Sequence, residues 1–142
     1  MHDPLKILVV EDQPSDVRLL EEALVDCSVP TAFEHAQDGE AAIDYLYAHA
    51  VDGRPDVIIL DLNMPRKDGQ EFLDEMKTFL EREEIPVIML TVSERQEDLT
   101  KALNARLNFF LSKPVESSKL DRILKAINTL WIGHRHDHRI SA

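Results

Sequence analysis

Four short apolar runs punctuate this chain, and each ends on a side chain able to do chemistry. Lys6-Ile7-Leu8-Val9-Val10 leads into Glu11-Asp12, and Asp56-Val57-Ile58-Ile59-Leu60 into Asp61. Pro86-Val87-Ile88-Met89-Leu90 leads into Thr91, and Asn108-Phe109-Phe110-Leu111-Ser112 into Lys113-Pro114. Runs of this length, rich in Val and Ile, suit strands covered on both faces, and such strands belong to parallel sheets. In an open parallel sheet the functional crevice lies beyond the carboxyl ends of the strands. Three carboxylates, a hydroxyl and an ammonium are therefore expected along one edge of one sheet.

Segments between the runs carry the helical period. Val17, Leu20, Ala23 and Leu24 follow Pro14-Ser15. Ala42, Ile43, Leu46 and Tyr47 follow Asp38-Gly39-Glu40, and Phe72, Leu73, Met76 and Phe79 follow a loop over 64–69. A weaker helix is expected near 95–106 and a last one from about 117 to 132. Strand one is expected over roughly 6–11, and Thr31-Ala32-Phe33-Glu34-His35-Ala36 reads as a half-exposed second strand. Five strand–helix units in series predict an α/β fold with right-handed crossovers. The architecture expected is a flavodoxin-like doubly wound parallel sheet in the order 2-1-3-4-5, which sets strands one and three side by side at the switch point. Asp12 and Asp61 stand at the ends of those two strands. Residues 1–132 read as one domain and 133–142 as a polar tail expected to be disordered, with no further domain after the fifth unit.

Composition narrows the function classes. A net charge of −11 argues against nonspecific nucleic-acid binding, which needs a basic footprint. The single cysteine, Cys27, cannot form an internal disulfide and reads as a small hydrophobe rather than a reactive thiol. No secretory signal opens the chain and no run approaches the ~18 apolar residues of a membrane span. A cytoplasmic protein is expected, with neither nucleic acid nor membrane as partner.

Glu11, Asp12 and Asp61 gathered in one crevice would repel each other and raise their own pKa values. A hard divalent cation, Mg²⁺ or Mn²⁺, resolves that conflict by taking carboxylates, a backbone carbonyl and waters. Lys113 adds an ammonium from the far side, and a metal with a lysine is what a transferring phosphoryl group needs. Asp61 can attack phosphorus to give an acyl phosphate, and the Thr91 hydroxyl can donate to a phosphate oxygen.

Over about residues 5–132 the chain resembles the receiver domain of two-component response regulators. The acidic pair Glu11-Asp12, Asp61 within Asp61-Leu62-Asn63-Met64-Pro65, the following Asp68-Gly69, then Thr91 and Lys113-Pro114 carry the resemblance. It implies a phosphoacceptor signalling domain rather than a turnover enzyme, with Asp61 accepting from a histidine kinase. It implies Mg²⁺ held by Asp12, Asp61 and the backbone carbonyl of Asn63, with Glu11 helping through water. Lys113 becomes the phosphate partner, joined to Pro114 by a cis peptide bond, and Thr91 with Phe110 becomes the switch pair. Pro14-Ser15-Asp16-Val17-Arg18-Leu19, Leu62-Asn63-Met64-Pro65-Arg66-Lys67-Asp68-Gly69 and Leu130-Trp131 resemble a narrower group, the stand-alone regulators paired with phytochrome-type histidine kinases. The chain departs from the family pattern at Val92, where a small residue is usual, and at Asn104-Ala105-Arg106-Leu107, in place of the usual Gly-Ala before strand five.

Blander explanations stand beside these. The last helix carries Leu120, Ile123, Leu124, Ile127, Leu130 and Trp131 at the spacing of an ordinary core-facing stripe. Trp131 and Ile132 lie beyond the expected sheet edge and, with Leu130, are candidates for a homodimer contact, on the face formed by the fourth helix, fifth strand and last helix. His134, His136 and His138 read as solvated tail residues. The competing enzyme class is an aspartate-nucleophile phosphatase of the haloacid dehalogenase type, which needs a second Asp two residues after the nucleophile. Asn63 occupies that place, and the nucleophile lies on strand three rather than one. An EF-hand fails because Arg66 stands where the loop requires glycine.

Overall fold

Alternation along each strand decides which side chains reach which face of the sheet. The computed structural model describes residues 4–62, 64, 69–92 and 108–129. In it β1 (Leu5–Val10), β2 (Thr31–Ala36), β3 (Val57–Asp61), β4 (Val87–Thr91) and β5 (Asn108–Ser112) form one sheet in the order β2-β1-β3-β4-β5. Every pairing is parallel. Helices α1 (Pro14–Val25), α2 (Gly39–Ala48), α3 (Gly69–Arg82) and α4 (Ser117–Ile127) connect and cover it. This is the doubly wound order expected from the sequence, with β1 and β3 adjacent at the centre. The helix expected near 95–106 lies outside the described residues, as do Asn63, Leu130, Trp131, Ile132 and the 133–142 tail.

One face sends Leu8, Val10, Ile58, Leu60, Val87 and Met89 against Leu46 of α2 and Phe72 and Met76 of α3. The other sends Ile7, Val9, Val57, Ile59, Ile88 and Leu90 against Leu20 and Leu24 of α1 and Leu120 and Leu124 of α4. Both faces of β3 and β4, and of β1 beyond the exposed Lys6, are thus dry, which is why these strands run apolar up to the polar residues at their ends. Each such Leu or Ile contributes about 1.5–3 kcal/mol by leaving water. β2 lies at the sheet edge and mixes exposed Ala32, Glu34 and His35 with buried Ala36.

Local chemistry starts the helices. Pro14 sits in the first turn of α1, where its missing N–H leaves no bond unmade. Asp38 caps α2 by accepting from the Ala41 N–H at 2.8 Å. Gly69 begins α3 hard against the end of β3. A Cβ there would lie 2.6 Å from Leu62 Cα and 2.8 Å from the Asp61 carbonyl oxygen, so no side chain fits without moving the strand that carries Asp61. Among the described residues no helix is long and apolar enough to cross a membrane.

Candidate functional site

Adjacent strand ends assemble the site. Just past β1, the Glu11 N–H donates to the Ala36 carbonyl at 3.1 Å, and the Gln13 N–H donates to Glu11 Oε1 at 3.2 Å. Asp61 is the last residue of β3, and the Leu62 N–H beyond it donates to the Leu90 carbonyl at 3.1 Å. The Lys113 N–H donates to the Thr91 carbonyl at 3.1 Å, tying the exit of β5 to the end of β4. The Lys113–Pro114 peptide bond is cis.

These ladders bring one carboxylate oxygen each from Glu11, Asp12 and Asp61 within 4.8 Å of one another. Glu11 is 0% and Asp61 2% exposed. Lys113 Nζ lies 3.0 Å from Asp61 Oδ2, 3.5 Å from Glu11 Oε2 and 3.5 Å from Asp16 Oδ2. Burial pushes the Glu11 carboxyl up to about 8, and its hydrogen bond to Asp61 and the Asp61 charge push the same way. Burial alone would lower the Lys113 ammonium. The hydrogen bond to Asp61 and the charges of Asp61, Glu11 and Asp16 outweigh it, holding Lys113 above the usual lysine range.

Asp12 Oδ1 is buried and has no hydrogen-bond partner among the described residues. An orphaned carboxylate oxygen is costly, and a cation satisfies it where a neutral donor is missing. An all-oxygen set of carboxylates is the donor chemistry that hard divalent cations select. The residues present therefore fit such an ion.

Thr91 ends β4 and is buried, while Val92 beside it is 71% exposed. Phe110, on β5, is half-buried and packs against the core on the α2–α3 side. Cys27 is half-buried; its thiol donates to the Ala23 carbonyl at 3.3 Å, and burial pushes its pKa up to about 11, as suits an inert thiol. Two neighbours of the cluster were not singled out from sequence. Asp16, in the first turn of α1, pairs with Lys113. His35 places Nε2 2.7 Å from the Glu11 carbonyl oxygen, which can only accept, so Nε2 carries the proton. A carboxylate one helical turn beyond an acidic pair was the available signal for the first.

Known proteins resemble this chain in sequence and in fold. The probable methanogenesis regulatory protein FilR2 of Methanothrix harundinacea is 36% identical over 133 residues, covering 92% of this chain and 86% of its own. Response regulator Rcp1 of Synechocystis is 33% identical over 132 residues, covering 91% and 90%. The structure of the Mn²⁺-bound form of Rcp1 superposes with a TM-score of 0.66 at 34% identity, covering 90% of this chain and 94% of that one. The structure of the phosphorylated cyanobacterial phytochrome response regulator RcpA gives a TM-score of 0.69 at 37% identity, covering 92% and 95%. Residues 7–125 match the response regulator receiver domain, and the chain belongs to that family, the phosphoryl-accepting signalling domains of two-component systems.

Proposed function

We propose that Asp61 is the residue that accepts the phosphoryl group, from the phosphohistidine of a histidine kinase. The observation that carries this is the 3.0 Å contact of Lys113 Nζ with the buried Asp61 Oδ2, beside the carboxylates of Glu11 and Asp12. In the transfer an Asp61 carboxylate oxygen forms the new P–O bond while the P–N bond of phosphohistidine breaks, its electron pair returning to the imidazole. Lys113 pairs with the incoming oxygens, and the Thr91 hydroxyl donates to one of them. Glu11, Asp12, Asp61 and the Asn63 backbone carbonyl would hold Mg²⁺, which when bound neutralises charge on the transferring group.

The product places nearly two negative charges on Asp61. Thr91 and Lys113 are drawn toward them and the Phe110 ring turns inward behind Thr91, shifting a two-state equilibrium at the face of the helix expected near 95–106, β5 and α4. The chain catalyses only the making and loss of its own acyl phosphate, so the haloacid dehalogenase reading is set aside. The kinase is of the phytochrome type, a partner supported by the sequence strings noted above and by the likeness to RcpA. The output is binding to a downstream protein or to a second copy through Leu130, Trp131 and Ile132.

Labelling with a phosphorylated kinase tests this. One phosphate per chain is expected, dependent on Mg²⁺, abolished by EDTA and by Asp61→Asn, and lost slowly. Undiminished labelling of Asp61→Asn, or many turnovers of an organophosphate, would overturn it.

A further inference from the structure

We propose that Asp16 is a positioning residue for phosphotransfer: it shares the Lys113 ammonium with the acceptor and gives it up when Asp61 is phosphorylated. The inference rests on the acceptor role of Asp61 given above. A lysine ammonium has three N–H donors, and here three carboxylates surround it, at 3.0 Å (Asp61), 3.5 Å (Glu11) and 3.5 Å (Asp16). Phosphorylation neutralises the Asp61 carboxylate and brings several charged acceptor oxygens close to the ammonium, which compete with its other partners and displace the one most easily rehydrated. Glu11 is 0% and Asp61 2% exposed in their side chains, and neither can be rehydrated in place. Asp16 is 37% exposed and lies in the first turn of α1, where water and the helix N-terminus stabilise a released carboxylate. Asp16 is therefore the partner that leaves.

Two consequences have the same sign. The Asp16 charge opposes arrival of an anionic donor, and its hold on Lys113 competes with the phosphoryl oxygens. Removing it speeds acceptance and raises the phosphorylated fraction. The pair is partly exposed, so the gain is about twofold to fivefold.

The test uses the full chain with Mg²⁺ and phosphoramidate, a donor too small to involve a kinase surface. Asp16→Asn and Asp16→Glu are compared in the native and Lys113→Ala backgrounds. Asp16→Asn is expected to gain about twofold to fivefold in rate, shrinking at high salt as the charges are screened. Asp16→Glu stays near wild type, and the gain shrinks in Lys113→Ala, where only the charge opposing the donor is left. No gain, or the same gain without Lys113, overturns the proposal. A structure of the phosphorylated protein supplies a reading independent of rate: the Lys113–Asp16 contact should be broken, and its persistence overturns the proposal. Wild type unlabelled at Asp61 would defeat the acceptor reading itself, whereas labelling that ignores Asp16 defeats only this inference.

Discussion

The middle of the sheet and its carboxyl edge are equally dry but obey opposite rules. Val9, Ile59 and Ile88 are 0% exposed and apolar, and leaving water stabilises them. Two or three residues further along the chain, Glu11 at 0%, Asp61 at 2% and Thr91 at 3% are polar or charged. Burial there costs free energy, and Glu11 shows it in a carboxyl held near 8. Folding gains nothing from crowding carboxylates around one lysine. Departures from local consistency of this kind mark functional sites, and here the apolar middle of the sheet stabilises the fold against the strain at its edge.

Substitutions in the two regions should therefore separate stability from chemistry. Leu46 is 0% exposed in α2 and packs in the core rather than at the carboxylates. Leu46→Ala should cost about 2–5 kcal/mol, read from the denaturant midpoint, while folded protein still labels at Asp61. A loss of labelling in folded Leu46→Ala would break the separation.

The edge should reveal itself through pH. In the folded metal-free protein Glu11 keeps its proton to about 8, against an ordinary value of 4.5. Between those values the folded state binds more protons than the unfolded one, so stability falls as pH rises through the window. Thermal unfolding in EDTA should show that decline, and Glu11→Gln should flatten it. Saturating Mg²⁺ competes with the proton and should oppose the decline. A metal-free protein that gains stability from pH 5 to 8 would contradict the assignment.

Val92 should give the smallest effect. It is 71% exposed beside Thr91, so Val92→Ala should change stability by no more than about 0.5 kcal/mol. Its effect belongs to access, a modest rise in phosphorylation rate by small donors. A large stability change would place Val92 in the core instead.

How far the sequence revealed this depends on how local each cause is. Asn108–Ser112 could be read as a strand because packing on both faces writes itself into consecutive residues. β3 and β4 end on Asp61 and Thr91 themselves, because the ladder continues through Asp61↔Leu90 and Thr91↔Ser112. β1 stops at Val10, one residue short of the expected end, where its register with β2 finishes at Val10↔Ala36. The carboxylate cluster was legible because strand ends in a parallel sheet share one edge. Carboxylate repulsion was expected to raise the acid pKa values, whereas burial ranks first for Glu11. His35 was not legible, since its contact depends on how β2 sits beside β1. The spacing of Asp16 from the acidic pair was visible, but its contact with Lys113 depends on how α1 meets the end of β5.

The central claim is that phosphate goes to the buried acid facing Lys113. Mass-spectrometric mapping of the Mg²⁺-loaded protein after treatment with a phosphoryl donor tests it most directly. Phosphate on Asp61 alone, absent when EDTA removes the metal, is the expected result. Phosphate on Glu11, Asp12 or any other residue, with Asp61 unmodified, would contradict it.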